Sequence, residues 1–451
     1  MNERDARDGK LIQASGTFSP AAIEDIQVKA ELGRYRIRGF GTLRERQWAT
    51  FDDLTFIPCS LTRIPLEGYR ERCSTKTVLG GKHVEKPIEL DIPIMITGMS
   101  WGALSYNAKV ALAKGADMVG SSNTTGDGGM LDAEREHSRH LIYEVLPSRY
   151  GIDVHHLRQA DGIELTLGQG AKPGTGGLLL DAKILDDIAR QRNLPTGVDQ
   201  RSPARHPDFL GPDDMIIKIE ELREATDWKV PIFVKMGATR VFDDVRLAAK
   251  AGADVIVVDG MEGGTGASAE ICQEHTGIPT LAAVCEARAA LEDIGMYGEV
   301  KLIIAGGIRH GVDAAKAMAL GADAIYIGTA ALMALNCNKP IHVEDYHALG
   351  TEPYHCHHCH TGRCPVGITT QDPDLMQRLD IEEGAERVAN LLQAMTSEIQ
   401  ILARACGKAD VHDLEPEDLR ALNAEASMIC GIPLAGTDRV WGNGPGWKER
   451  K

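Results

Sequence analysis

The chain has 451 residues, 43% hydrophobic and 25% charged, the balance of an ordinary globular protein with ample core. Its formal net charge of −16 argues against nucleic acid and anionic membrane as main partners, and no apolar run reaches the ~20 residues of a membrane span. Ten cysteines are too few for a disulfide scaffold in so long a chain, and the charged start has no apolar signal core. A reducing, cytoplasmic setting is expected.

Residues 1–90 read as a leader. A helix is expected at 20–32, opened by Ser19-Pro20, and 46–86 reads as irregular or partly helical. From 91 to 336, short β-branched runs alternate with Ala-rich helical runs. Strands are predicted at 92–97, 118–121, 163–167, 232–235, 255–259, 302–305 and 324–327, with an eighth near 197–199. Helices are predicted at 105–114, 178–192, 212–226, 242–251, 280–294, 312–319 and 329–335. Two near-repeats, 251–256 and 320–325, each end a helix on Gly and begin a buried strand. The alternation implies a parallel sheet, and the span suits one (β/α)8 TIM barrel of the α/β class, with function at the C-terminal strand ends. A Cys-rich segment, 337–372, and a helical extension, 373–451, follow. In the extension, helices are expected at 382–406 and 416–427, before a Gly/Trp-rich stretch from Trp441 to Trp447.

The strongest local signal is Cys356-His-His-Cys359-His-Thr-Gly-Arg-Cys364-Pro365, with Cys337 upstream. Thiolates this close suit a soft metal. A proline after the last cysteine is typical of iron–sulfur ligation. Zinc is an alternative, because His355, His357, His358 and His360 offer nitrogen ligands. Free thiols are the bland reading.

Glycines crowd the presumed strand ends: Gly98-Met99-Ser100, Gly126–Gly129, Gln169–Gly174, Gly260–Gly266, Gly306-Gly307 and Gly328-Thr329. Glycine lets backbone amides approach a phosphate, and the last two loops of a barrel often form a phosphate site. Many such glycines are ordinary turns. Gly264–Ala269 also fits a dinucleotide pattern, but Glu286 falls in a helical run, and a lone match carries little. Lys172, Lys235 and Arg192 are cations placed to bind carboxylates or steady a reduced flavin anion; singly, each also suits a surface position.

At these motifs the sequence resembles the FMN-binding synthase domain of glutamate synthases, over about 92–372. The carrying residues are Gly98–Ser105, Gln169–Gly177, Asp259–Ser268 and Cys359–Gly367. The resemblance implies a (β/α)8 barrel, FMN, an iron–sulfur cluster, and 2-iminoglutarate or glutamate at the flavin. By position it implies Lys235 near the flavin N1/O2 edge. Met99, Ser100, Gln169, Gly260, Glu262, Gly263, Gly264, Gly306, Gly307, Gly328 and Thr329 would wrap the cofactor. Lys172 and Arg192 would hold the dicarboxylate, and Asp127 matches an acidic family position.

Leu178 departs from the family, which has glutamine there. Cys337 is separated from Cys356, Cys359 and Cys364 by an insertion, so [3Fe–4S] and [4Fe–4S] clusters both stay open. No glutaminase nucleophile or β-helical domain is recognisable, which implies partner subunits carrying those folds. Among the family's members, stand-alone chains with Ser202–Pro207 and this insertion resemble the large subunits of N-methylglutamate synthases. They would use methylamine and glutamate, the flavin borrowing and returning a hydride. The alternatives are a glutamate synthase subunit using 2-oxoglutarate and ammonia, and a zinc-binding assembly subunit without catalysis.

Overall fold

The computed structural model describes residues 17–442 except 45, 69, 82 and 83, together with 444 and 445. Residues 1–16 and Trp447 therefore lie outside the described residues.

Eight strands form one all-parallel sheet: β1 (Ile94–Ile96), β2 (Ser122–Thr124), β3 (His140–Val145), β4 (Gly162–Thr166), β5 (Ile232–Gly237), β6 (Val255–Asp259), β7 (Lys301–Ala305) and β8 (Ala324–Ile327). Each strand pairs with its neighbour in sequence from β2 to β8, and β8 returns to pair with β1. This is the predicted (β/α)8 barrel. Strands buried on both faces read as unbroken apolar runs; Val255-Ile-Val-Val258 has no exposed residue.

Inward-facing Met95, Ile142, Phe233, Val257, Ile303 and Tyr326 form an inner core, joined by Leu79, Ile88 and Leu90. These last three belong to a hairpin, Thr77–Leu79 with Ile88–Leu90, that plugs the N-terminal mouth. An outer core lies between the strands and their helices. The hairpin covers that end, and the C-terminal mouth is the open one.

Helices α1 (Tyr106–Met118), α2 (Asp186–Arg192), α3 (Pro212–Ala225), α4 (Val241–Lys250), α5 (Thr280–Asp293), α6 (Gly311–Ala319) and α7 (Thr329–Ala334) lie within the barrel region, and α8 (Ile381–Ala405) follows the cysteine segment. Helix α8 packs against α1 and α6. It comes so close to α1 that a Cβ at Gly115 would lie 2.7 Å from the Ala385 carbonyl. The leader helix Pro20–Leu32 forms as expected, capped by Ser19, but buries none of its residues.

Four expectations need correction. The stretch 118–121 is not the second strand: Met118 ends α1, and the strand is the polar Ser122-Asn123-Thr124. Two of its side chains are paired, Asn123 with Glu134 and Thr124 with Tyr326, while the buried Ser122 hydroxyl has no hydrogen-bond partner. The eighth strand is not near 197–199; it is β3, disguised by His140, Tyr143 and Glu144. Helix 178–192 begins only at Asp186, because Leu178–Leu179 pairs antiparallel with Gln200–Arg201. In the extension, 416–427 is a short turn and a strand, Leu419–Ala421, paired with Leu54–Phe56 of the leader; the helix there is Ala424–Cys430.

Candidate active site

The C-terminal mouth opens into a cavity of about 1110 Å³. It is lined by every residue expected above to wrap the cofactor, hold the dicarboxylate or ligate through sulfur except Gly260; of the candidate nitrogen ligands His355, His357, His358 and His360, His358 alone lines it. Lys235, Asp127, Lys172 and Arg192 share it with Met99, Ser100, Gln169, Glu262, Gly263, Gly264, Gly306, Gly307, Gly328 and Thr329, and with Cys337, Cys356, Cys359 and Cys364. Gly260 stands behind the wall: its amide donates to the Ala305 carbonyl at 2.9 Å, and a Cβ there would lie 1.8 Å from Thr280 Oγ1.

On the floor, Lys235 of β5 is 4% exposed. Its Nζ lies 3.3 Å from Glu144 Oε1 and 3.2 Å from Glu164 Oε1, and donates to Thr97 Oγ1 at 3.1 Å. Burial works to lower its pKa, but Glu144, Glu164 and Asp259 outweigh burial and hold the amine above its ordinary value. Burial pushes Glu164 up to about 7 against the pull of Lys235. Neither glutamate stood out in the sequence. A carboxylate inside the apolar run Gly162-Ile-Glu-Leu-Thr166 was the available signal.

The loops after β1, β6, β7 and β8 form the rim. Lys109, fully buried on α1, donates to the carbonyls of Met99 (2.5 Å) and Thr125 (2.7 Å) and pairs with Glu134 at 2.7 Å. That fixes the Met99-Ser100 turn. Glu262 accepts from Trp48 Nε1 (3.0 Å), from the Thr280 amide (2.9 Å) and from its hydroxyl (2.7 Å), so both its oxygens are engaged within the protein. At Gly306-Gly307 the backbone turns with φ of 100° and 69°, a conformation that favours glycine. A concave rim of such loops, with main chain exposed to the cavity, fits a phosphate-bearing cofactor of flavin size.

On the opposite wall, Lys172 donates to the Ala267 carbonyl at 3.1 Å, and burial lowers its amine to about 8. Arg192 is more heavily tied. It donates to Gln200 Oε1 (3.1 Å) and to the carbonyls of Trp101 (2.7 Å) and Asp127 (3.1 Å), while its buried Nε has no hydrogen-bond partner. Burial lowers its pKa, opposed by Asp127. The Asp127 carboxylate accepts from Ser148 (2.6 Å) and Ser202 (3.0 Å). The wall therefore presents two buried cations beside an anchored carboxylate.

The four thiols sit at one end of the cavity, all free. Burial first, then the neighbouring thiols, raise Cys337 well above the ordinary range and Cys359 to about 12. Among the described residues, no three His, Cys, Asp or Glu side chains are arranged to hold a single metal ion. Lys183, 1% exposed and unforeseen from sequence, donates to the carbonyls of Ala103 (2.6 Å) and Cys359 (3.1 Å). It links the loop after β1 to the cysteine segment. The leader reaches both regions as well: Gly39 donates to the His357 carbonyl at 2.9 Å, and Phe40 to the Thr265 carbonyl at 2.8 Å.

Solved structures with this architecture include a lactate oxidase from Pediococcus acidilactici (TM-score 0.52, 17% identity, 83% of this chain and 84% of that one). The flavin-binding domain of baker's yeast flavocytochrome b2 is a second (TM-score 0.52, 15% identity, 84% and 80%). At such identities the likeness defines the class of fold alone, a (β/α)8 barrel. Residues 51–409 match the conserved region of glutamate synthase, and the chain belongs to the glutamate synthase family. It is 55% identical over 430 residues to a glutamate synthase large subunit-like protein of Rhizobium meliloti, spanning 95% of this chain and 97% of that protein. It is 36% identical over 442 residues to an archaeal glutamate synthase (NADPH) of Methanocaldococcus jannaschii, spanning 91% and 83%. Among the described residues, no helix is long and apolar enough to cross a membrane.

Proposed function

We propose that this chain is an FMN-dependent oxidoreductase that forms glutamate from 2-oxoglutarate and ammonia by way of 2-iminoglutarate. The observation that carries the reading is the single cavity: glycine-rich rim, Lys235 floor and Lys172–Arg192 wall all face one space, in a chain of the glutamate synthase family. Bound FMN would supply hydride transfer, held by the rim loops at Met99-Ser100, Gly263-Gly264, Gly306-Gly307 and Gly328-Thr329. Lys235 would offset the negative charge of a reduced flavin, as preorganised electrostatics requires. Lys172 and Arg192 orient the two carboxylates of the substrate by charge-assisted hydrogen bonds. Asp127, anchored by two hydroxyls, holds or moves a proton at the substrate nitrogen.

Cys337, Cys356, Cys359 and Cys364 would hold an iron–sulfur cluster as an electron relay. Their shared position on the cavity lining, half-buried, supports this. Subunits supplying ammonia or electrons would be the partners, in the cytoplasm. Domain limits at 90, 336 and 372 are proposed with the same reading.

The narrower reading, N-methylglutamate formation, is favoured by one observation: Leu178 puts an apolar side chain on the cavity wall, which suits a methyl group. An assay on anaerobically purified protein separates the two. Glutamate formed from 2-oxoglutarate and ammonia with reduced donor supports the synthase. N-methylglutamate formed from glutamate and methylamine without reductant, with Cα deuterium retained, supports the second.

A further inference from the structure

The floor of the cavity contains more acid than the reaction above uses. Two carboxylates there compete for Lys235, Glu144 at 3.3 Å and Glu164 at 3.2 Å. Asp259 adds a third buried carboxylate nearby, with its Oδ2 taken by the Gly170 amide. The two glutamates differ in position. Glu164 is wholly buried beside Tyr326. Glu144 borders the cavity and accepts from Thr166 Oγ1 at 2.8 Å. A Cβ at Gly98 would lie 2.1 Å from Glu144 Oε2, so this oxygen lies directly under the turn that leads to Met99-Ser100.

We propose that Glu144 is a positioning residue that ties Lys235 to the barrel wall and, by its own charge, holds down the reduction potential of the flavin. The inference rests on the FMN reading above. A flavin that takes up two electrons and one proton gains one negative charge. A carboxylate bordering the same cavity opposes that gain, and opposes it more strongly than in water, by about fourfold at an effective dielectric near 20. Lys235 offsets only part of this, because Glu144 and Glu164 already share it. The flavin would thus be kept a ready donor, which suits reduction of an imine. A purely structural ion pair knitting β3, β4 and β5 together would change stability on mutation and leave the potential where it was.

The test is an anaerobic redox titration of the full chain, followed by flavin absorbance. Glu144→Gln is expected to raise the midpoint. The ratio of reduced to oxidised flavin at a fixed potential should rise at least about tenfold, which is about 30 mV for a two-electron couple. Glu144→Asp, which keeps the charge, is expected to stay within about threefold of the parent on the same scale. Lys235→Met should move the midpoint the other way. Should Glu144→Gln fail to fold, Glu144→Ala removes the same charge and carries the same expectation. A flavin-loaded neutral variant with an unchanged or lowered midpoint overturns the proposal and leaves the FMN reading standing. A parent chain that takes up no FMN overturns both.

Discussion

The backbone amide of Gly170 donates to Asp259 Oδ2 at 2.8 Å, which fastens the loop after β4 to the end of β6. A Cβ at Gly170 would lie 1.8 Å from the Gly260 carbonyl oxygen. Two loops that frame the cavity are therefore set by the absence of one methyl group. Gly170→Ala is expected to cost about 1–3 kcal/mol through overpacking and to lower the FMN content of purified protein. Thermal melting and the flavin-to-protein ratio measure both; an unchanged melt would contradict the packing argument.

Lys172 makes substrate binding depend on pH. Burial places its amine near 8, below the ordinary ~10.4 of lysine, so the cation is present below about pH 8 and lost above it. The affinity for 2-oxoglutarate should be flat in the acidic direction and fall about tenfold per unit above pH ~8. Lys172→Met should bind one to two decades more weakly, without that break. The same shift affects folding. Between about pH 8 and 10.4 the unfolded chain holds the extra proton, so this group's contribution to stability rises with pH across that window. Calorimetric binding at pH 6.5–9.5 decides; a pH-independent affinity in the parent would remove Lys172 from the substrate.

Arg192 has a double duty that mutation can separate. Arg192→Met strands the carbonyls of Trp101 and Asp127 as well as removing a cation from the cavity. A loss of about 3 kcal/mol in urea unfolding is expected from unpaired buried acceptors, together with weaker dicarboxylate binding. Arg192→Lys should recover part of the stability and less of the binding, since an ammonium lacks the guanidinium fork. Equal recovery of both would reduce Arg192 to a structural strut.

The cysteine segment makes an analytical prediction. Protein purified without oxygen should contain iron and acid-labile sulfide, and Cys359→Ser should lose both. Cys337→Ser should lose less if Cys356 has taken its place as a ligand. Zinc without sulfide in the parent would refute the cluster.

The barrel was legible because parallel strands are buried on both faces. Runs such as 255–259 and 324–327 carry that burial openly, and both were placed to the residue. What escaped was whatever the barrel hides by pairing polar groups. Strand β2 is Ser-Asn-Thr, and two of its three side chains, Asn123 and Thr124, are answered by Glu134 and Tyr326 from elsewhere in the chain. Missing β3 meant missing Glu144, and with it the acid beside Lys235. Lys183 and Lys109 look like surface lysines in sequence; only the fold shows that each caps carbonyls of two separate segments. The glycine motifs were readable as a set, but not their division of labour. Gly260 serves packing behind the wall, while Gly306-Gly307 turns the rim.

The leader's contacts set a timetable. Ile37–Arg38 pairs with Ser268–Ala269, Gly39 bonds to His357, and Leu54–Phe56 completes its ribbon with Leu419–Ala421. Each of these partners is made long after the leader itself. At roughly 5–20 residues per second of synthesis, Gly39 waits about 15–60 s for His357 to exist. Until Ser268–Ala269 is made, the strand-forming segment Ile37–Arg38 lacks its native partner, and its neighbour Gly39 waits longer still. Contacts so distant in sequence also slow refolding of the finished chain, because loop closure must precede any gain from the pairing. Docking of this segment thus waits on residues made much later, and it closes the wall between the rim loops and the cysteines.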